Sequence, residues 1–402
     1  MLVLFFFLSD ASSQVQETKP KDDKLNLTDT GWKIDNSINL YTSRSVYETI
    51  RDTTMGKISI RSTALVINGD TLIPEEIATR GQSSLLFRRK SYSFRLASRA
   101  TFHHRVRTES FKKFFALSLA MDRDYCNNHL AFEMMEASHL FDLFYTFSEL
   151  RINDQCEGIC MVVERPEDWA MKKEKSPLLL RRGYNHNIVK IETDKKVGKE
   201  ETKRYSNFFR QIYRSLNKYK GEELYKSLSE WLDLDSYMKW LAFNFLVRNS
   251  DYTDEVYFYI DPKENRFKII PWDYDDLFSP APHEGIVESK KFLGGKLIFS
   301  AEDQLDKKIA SDPFLYKVYL RQFREVLNDL SPAVIKRVFE ETYAELYPYY
   351  SNPEIISMSR YDAYKDRNLS KLQNDMYILY DKLKSSVSYC LNYFELRNKA
   401  EE

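Results

Sequence analysis

Hydrophobic and polar positions change period along the chain. Up to about residue 165 they alternate or run in short blocks, the pattern of strands. Lys57–Ile67 and Leu72–Ala78 fit strands, and Asn68-Gly69-Asp70 between them is a strong hairpin turn. Tyr92, Phe94 and Leu96 alternate, Phe114–Met121 is apolar, and Phe147–Val163 reads as a hairpin turning at Asn153-Asp154. One helix interrupts this region, Asn127–Phe141, with Leu130, Met134, Ala137 and Phe141 on one stripe. After the break at Arg165-Pro166 the spacing turns helical: Tyr205–Leu216, Glu222–Trp231, Ser236–Arg248, Pro313–Leu330, Pro332–Tyr350 and Leu369–Leu396 are expected helices. Asp235 is the expected N-cap of the third. Trp169–Lys203 is charged and irregular, with candidate strands at Leu178–Arg182 and Val189–Glu192, and Pro280–Gly295 reads as a loop. The expected fold is α+β with two lobes, residues 31–165 β-rich and residues 166–402 mainly helical.

The stretch 245–278, FLVRNSDYTDEVYFYIDPKENRFKIIPWDYDDLF, organises the rest. Val256–Ile260 and Phe267–Ile270 are short aromatic and β-branched strands joined by the turn residues Asp261-Pro262-Lys263-Glu264-Asn265, so they should pair antiparallel. The open end of that hairpin brings Asp251 toward Asp273 and Asp275, which share a face in an extended segment. Converging carboxylates repel unless a cation lies between them, and Mg²⁺ is the hard ion that suits oxygen ligands and substrate phosphates. The same acids read alternatively as exposed turn residues. Met238, Leu241, Ala242, Phe245 and Leu246 of the preceding helix are expected to pack under the hairpin and fix the Asp251 loop.

Arg80–Leu96, RGQSSLLFRRKSYSFRL, combines a glycine, hydroxyls and five basic residues. Glycine lets backbone N–H groups approach a ligand, and hydroxyls and cations complete a phosphate cradle; a basic edge strand is the alternative. His129 and His139 read as packing or helix-surface residues, and His283 and Glu284 have no partner at metal spacing.

Composition narrows the classes. Sixty basic residues balance sixty acidic ones, so no bulk field favours nucleic acid as a partner. Cys126, Cys156, Cys160 and Cys390 are too few for a disulfide scaffold, and Cys156 and Cys160 read as two thiols on one strand face. Met1–Leu8 is apolar but too short to span a bilayer, and small residues follow it; residues 1–13 read as a signal peptide and 14–30 as a polar tail, which places the protein as secreted, at the cell surface or periplasmic. No other segment has the length and apolar character of a transmembrane span.

The Asp loop, the aromatic strand pair and the Pro271-Trp272-Asp273-Tyr274-Asp275 end resemble the spore coat protein H (CotH) family of atypical protein kinases. Arg80, Gly81, Ser83, Ser84, Phe87, Lys90 and Tyr92 match its N-terminal Arg-Gly-x-Ser-Ser…Phe-x-Lys-Lys-x-Tyr segment, with Arg89 in place of the first Lys. Asp122 and Asn128 match its helix start, with Asn127 replacing an Arg, and Asn153…Gly158…Glu164 follows its hairpin, with Cys156 and Cys160 replacing aromatics. The resemblance implies a kinase-like fold whose N-terminal lobe binds nucleotide, and an enzyme that uses ATP with Mg²⁺ or Mn²⁺ to phosphorylate Ser or Thr of a protein substrate or of itself. By it, Asp251 accepts the hydroxyl proton, Asp273 and Asp275 hold the metal, and Arg80, Ser83, Ser84, Lys90 and Glu164 contact the nucleotide. Kinase-like loops carry a metal-binding Asn five residues after the catalytic Asp; Val256 stands there, with Asp254 or Glu255 as nearby substitutes. A kinase-like surface or assembly protein without turnover, and a metal-dependent hydrolase of another fold, are the rival readings.

Overall fold

The computed structural model describes residues 24–401 apart from Met55 and Val106, and no side chain beyond Lys399; the expected signal peptide and most of the polar tail lie outside the described residues. Nine strands form the N-terminal sheet: β1 (Ser37–Thr42), β2 (Ser59–Ile60), β3 (Ser62–Ile67), β4 (Asp70–Leu72), β5 (Pro74–Arg80), β6 (Ser91–His104), β7 (Arg107–Leu117), β8 (Tyr145–Ile152) and β9 (Gln155–Glu164). Their order is β2-β5-β6-β7-β9-β8-β1-β3-β4, antiparallel except for β1 against β8. Both expected hairpin turns form. Asn68 and Gly69 have φ of 52° and 88°, and Asn153 and Asp154 have 52° and 64°. Two consecutive positive φ values make the tight turn whose twist matches the strands it joins.

Strand alternation divides the sheet between two cores. Phe94, Phe102, Phe114, Phe144 and Val162 face one, which Tyr47 and Ile50 of the short helix Arg44–Ile50 also enter. Phe115, Phe147, Met161 and Val163 face the other, which continues into the helices of the second lobe. Cys156 joins this larger core and Cys160 the smaller one, so they do not share a face. The reason is a β-bulge: the β8–β9 register shifts between Leu150 and Arg151, and an extra residue on one strand reverses the parity of the positions beyond it. All four cysteines are buried and free.

The second lobe has a four-stranded sheet, β10 (Leu178–Arg182), β11 (Ile188–Thr193), β12 (Val256–Asp261) and β13 (Arg266–Pro271), in the order β11-β10-β12-β13. The expected hairpin is β12–β13, with Val256 opposite Pro271 and Asp261 opposite Arg266. Helix Leu234–Val247 supports it. Its N-cap is Asp233 rather than Asp235: the Asp233 carboxylate accepts from Ser236 N at 3.4 Å and from its hydroxyl at 2.9 Å, while Asp235 accepts from Tyr225. Met238, Leu241, Ala242 and Leu246 are buried as expected, but Phe245 turns away to Phe323 and Tyr389. The segment expected to be a loop contains a helix, Ile286–Leu293. The helices Pro313–Asp329, Pro332–Tyr350 and Leu369–Glu401 complete the lobe. Among the described residues no helix is long and apolar enough to cross a membrane.

Candidate active site

Where the two sheets meet, a cleft of about 610 Å³ is lined from the first lobe by the β5–β6 connection and the end of β7, and from the second by β10, β12 and the segment after β13. Arg80, Ser83 and Ser84 line one wall and Asp251, Asp273 and Asp275 the other.

The basic wall depends on Gly81, which has φ +106°; a Cβ there would lie 1.9 Å from Ser84 Oγ. Only glycine lets Arg80–Ser84 fold back so tightly. The Arg80 guanidinium lies over the Phe115 ring, 3.9 Å from its centroid, and Arg165 is 5.3 Å from the same centroid. This stacking holds both cations at the rim, where Arg165 is also paired with Glu167.

The acidic wall is built by the hairpin and its flanks. Helix Leu234–Val247 ends at Arg248 in a left-handed conformation, φ 50°, and Phe278 N donates to Val247 O at 2.8 Å, so the chain before β12 and the chain after β13 are tied together. Asn249 is fully buried and its side-chain oxygen accepts from Asp251 N at 3.2 Å, which orients the acid loop. After β13 the chain does not continue extended: Asp273 has φ 53°, a conformation rare for a residue with a side chain. Its neighbours are fixed. Tyr274 is buried, its N–H donates to Asn128 Oδ1 at 2.8 Å and its hydroxyl accepts from Trp240 Nε1 at 3.0 Å. Asn127 Nδ2 donates to Asp275 O at 2.8 Å. Asp122 in turn accepts from the backbone N–H groups of Asn127 and Asn128, each at 2.9 Å. Helix Asn127–Ala137 is thus the strut that holds Asp273 and Asp275 against the first lobe.

These acids are crowded beyond what the chain neutralises. Burial, then the Asp254, Asp273 and Asp276 charges, push Asp251 up to about 6, with His283 opposing. Burial and Asp273 raise Glu255 to about 9, and burial with the Asp273, Asp122, Asp276 and Asp251 charges raises Asp275 to about 9. Burial raises Asp273 too, against Arg80 and Arg181. Carboxylate donors with little counter-charge are the set a hard cation takes, and the buried Glu255 Oε2 has no hydrogen-bond partner among the described residues. Mg²⁺ therefore fits these residues.

Two expected contacts do not reach the cleft. Lys90 is buried and its ammonium donates to Leu85 O, within its own connection. Glu164 pairs with Lys173 at 2.8 Å. One residue of the cleft, Arg181, was not singled out by the sequence. Arg181 pairs with Glu255 and donates from Nε to Asp254 O at 3.1 Å, while its neighbour Arg182 points to the opposite face, fully buried, and donates to Tyr237 and Thr253. Two arginines ending one strand were the available signal, since strand alternation sends one of them to each face. His283 lies with Nδ1 3.8 Å from Asp251 Oδ1 and 3.8 Å from Glu302 Oε1, so it does have carboxylate neighbours, supplied by the fold rather than by sequence spacing.

No curated protein matches the chain. A chain of the Shewanella oneidensis MR-1 toxin–antitoxin complex of HipA, HipB and operator DNA is similar at 10% identity and a TM-score of 0.27, over 73% of this chain and 63% of that one. This chain thus spans less than two thirds of that one's length. A family model described as CotH kinase protein matches residues 77–399, from the end of β5 through the last helix, and so takes in both walls of the cleft. The chain belongs to the CotH kinase family.

Proposed function

We propose that the protein transfers the γ-phosphoryl group of ATP to a Ser or Thr hydroxyl of a protein, itself included, and that it does so outside the cytoplasm. The observation that carries this reading is the single cleft with Arg80, Ser83 and Ser84 on one wall and Asp251, Asp273 and Asp275 on the other.

Phosphoryl transfer needs alignment and charge neutralisation more than covalent participation. The backbone and hydroxyls of Gly81–Ser84 cradle the phosphates, and Arg80 offsets their charge. Asp273 and Asp275 would hold Mg²⁺ or Mn²⁺, which supplies neutralisation of the phosphate oxygens. Arg181 pairs with one oxygen of Glu255 and keeps that side chain beside the metal-binding acids. Asp251 is half exposed at the mouth, where a protein hydroxyl can arrive. Its raised value of about 6 suits a group that orients the hydroxyl and accepts its proton near neutral pH.

One observation favours a second reading, a weak or inactive kinase-like assembly protein. Val256, at the position of the usual metal-binding Asn, is fully buried in β12 and offers no ligand. Labelling with γ-labelled ATP and Mg²⁺ separates the two. Incorporation by the wild type that is lost in both Asp251→Asn and Asp273→Asn supports the kinase. Equal labelling in both variants contradicts the assignment, and none in the wild type favours the assembly protein.

A further inference from the structure

Away from the cleft, four titratable side chains from three segments meet in the interior. His104 ends β6, His129 and Glu133 lie one turn apart on helix Asn127–Ala137, and Glu345 lies on helix Pro332–Tyr350. All four are buried, and one donor atom from each lies within 4.8 Å of the others. His104 Nε2 is 3.4 Å from Glu345 Oε2 and 3.5 Å from Glu133 Oε1. His129 Nε2 is 2.9 Å from Glu345 Oε2 and 4.0 Å from Glu133 Oε1. Donors bound at ~2.0 Å to a tetrahedral ion lie about 3.3 Å from each other. The four separations bracket that value.

The surrounding groups orient this set inward. Arg105 Nε donates to Glu345 Oε1 at 2.6 Å and its Nη1 to Glu133 Oε2 at 2.8 Å, so each carboxylate spends one oxygen on Arg105 and turns the other toward the imidazoles. Tyr145 also donates to Glu133 Oε1. His129 Nδ1 lies 3.0 Å from Thr342 Oγ1; a proton on Nδ1, donated to that hydroxyl, leaves the Nε2 lone pair facing the cluster. A ligand histidine whose other nitrogen is hydrogen-bonded in this way is the usual support of a metal site. His104 is 5% exposed, and its Nε2, aimed at both carboxylates, has no hydrogen-bond partner among the described residues.

Charge points the same way. Glu133 and Glu345 are buried against one guanidinium, Arg105, which also serves the more exposed Glu341 at 2.8 Å. A divalent cation offsets the excess. Direct imidazole–carboxylate pairing, at 2.9 to 3.5 Å, is the alternative that a metal titration separates from an ion. A small cavity of about 20 Å³ bordered by Trp32, His104, Arg105, Glu345 and Tyr349 adjoins the cluster.

We propose that His104, His129, Glu133 and Glu345 bind one divalent transition-metal ion of the zinc class. Two imidazoles with two carboxylates suit zinc better than magnesium, which takes oxygen alone. The ion is structural. It pins helix Asn127–Ala137, whose first residues hold Tyr274 and Asp275, to the end of β6 and to the C-terminal helices.

The test is cobalt titration of the full chain, prepared without a histidine tag and stripped with a chelator. Apart from any ion held by the cleft acids, the expected result is one Co²⁺ per chain giving the visible absorption of a tetrahedral site, displaced by Zn²⁺ and retained in Asp273→Asn. His104→Gln and Glu345→Gln should weaken binding by more than about 100-fold, and Thr342→Val by about tenfold. The wild type and Thr342→Val carry the test if the ligand variants do not fold. The absence of tetrahedral absorption in the wild type overturns the proposal. So does absorption that survives His104→Gln and Glu345→Gln, or unchanged affinity in Thr342→Val. Absorption lost in Asp273→Asn places the ion in the cleft and overturns it as well.

Discussion

Two clusters of buried charge, built from the same residue types, behave in opposite ways. At the interior one, Asp362 Oδ2 accepts from Arg89 at 2.6 Å, from Tyr125 at 2.6 Å and from Arg367 at 3.1 Å. Further donors of the two arginines reach carbonyls: Arg89 Nε donates to Glu157 O and Arg367 Nη2 to Asp122 O, each at 2.7 Å, while Arg367 Nε and Asp362 Oδ1 have no hydrogen-bond partner among the described residues. Two cations surround one anion, so the carboxylate has its counter-charge within the chain. The cleft lining holds seven carboxylates, Asp251, Glu255, Asp273 and Asp275 among them, against five cations, of which Arg80 and Arg181 act on Asp273. In the first cluster, folding supplies the anion with more than its counter-charge. In the second, carboxylates outnumber cations, and the difference marks where something from outside belongs.

The comparison can be broken in four ways. Asp273→Asn has the largest expected effect: phosphoryl transfer falls by about 10³-fold or more, as when an electrostatic contact to the reacting group is removed. The metal-free variant nonetheless melts no lower than the wild type, because a repelling charge is gone. A fall in melting temperature alongside activity would mean that Asp273 is a structural anchor. At the closed cluster the sign reverses. Asp362→Ala leaves two guanidiniums buried without their anion and costs about 3–5 kcal/mol in denaturant unfolding. A loss below about 1 kcal/mol would show that the network contributes little.

Third comes pH dependence without metal. The Asp275 carboxyl is raised from its ordinary 3.8 to about 9, so the folded chain holds that proton more tightly than the unfolded chain does. The contribution is full below the unfolded value and is lost as pH rises through the folded one. In chelator, the melting temperature should fall from about pH 5 upward, and fall less steeply in Asp275→Asn. Identical slopes would remove Asp275 from the crowded set. Smallest is Lys90→Met, because that ammonium is turned to Leu85 O and does not line the cleft. The KM for ATP should change by no more than about twofold, and a tenfold rise would bring Lys90 back to the nucleotide.

The residues that were legible in the sequence are those whose position follows from local rules. Asn68-Gly69 and Asn153-Asp154 demanded tight turns, and the β12–β13 hairpin demanded that its flanks meet. Asp251, Asp273 and Asp275 could therefore be placed together from the sequence alone. What escaped depends on long-range packing. The parity of Cys156 and Cys160 is reversed by a bulge that no residue type announces. Lys90 sits just before β6, and its long side chain folds back to a carbonyl five residues earlier, a choice made by the local cavity rather than by charge. Arg181 reaches the cleft only because β10 pairs with β12 across some 75 residues of sequence, with Arg181 opposite Tyr257. Phe245, read as support for the hairpin, belongs to a helix buried nearly all round, where hydrophobic spacing does not say which face meets which neighbour.

The claim beneath the rest is that the cleft acids are left unpaired in order to hold a cation together with ATP. Calorimetric titration of ATP into the wild type and Asp273→Asn, with and without Mg²⁺, tests it most directly. The account expects wild-type binding that requires Mg²⁺ and is lost in Asp273→Asn. ATP binding of equal strength in chelator, or in the variant, would contradict it.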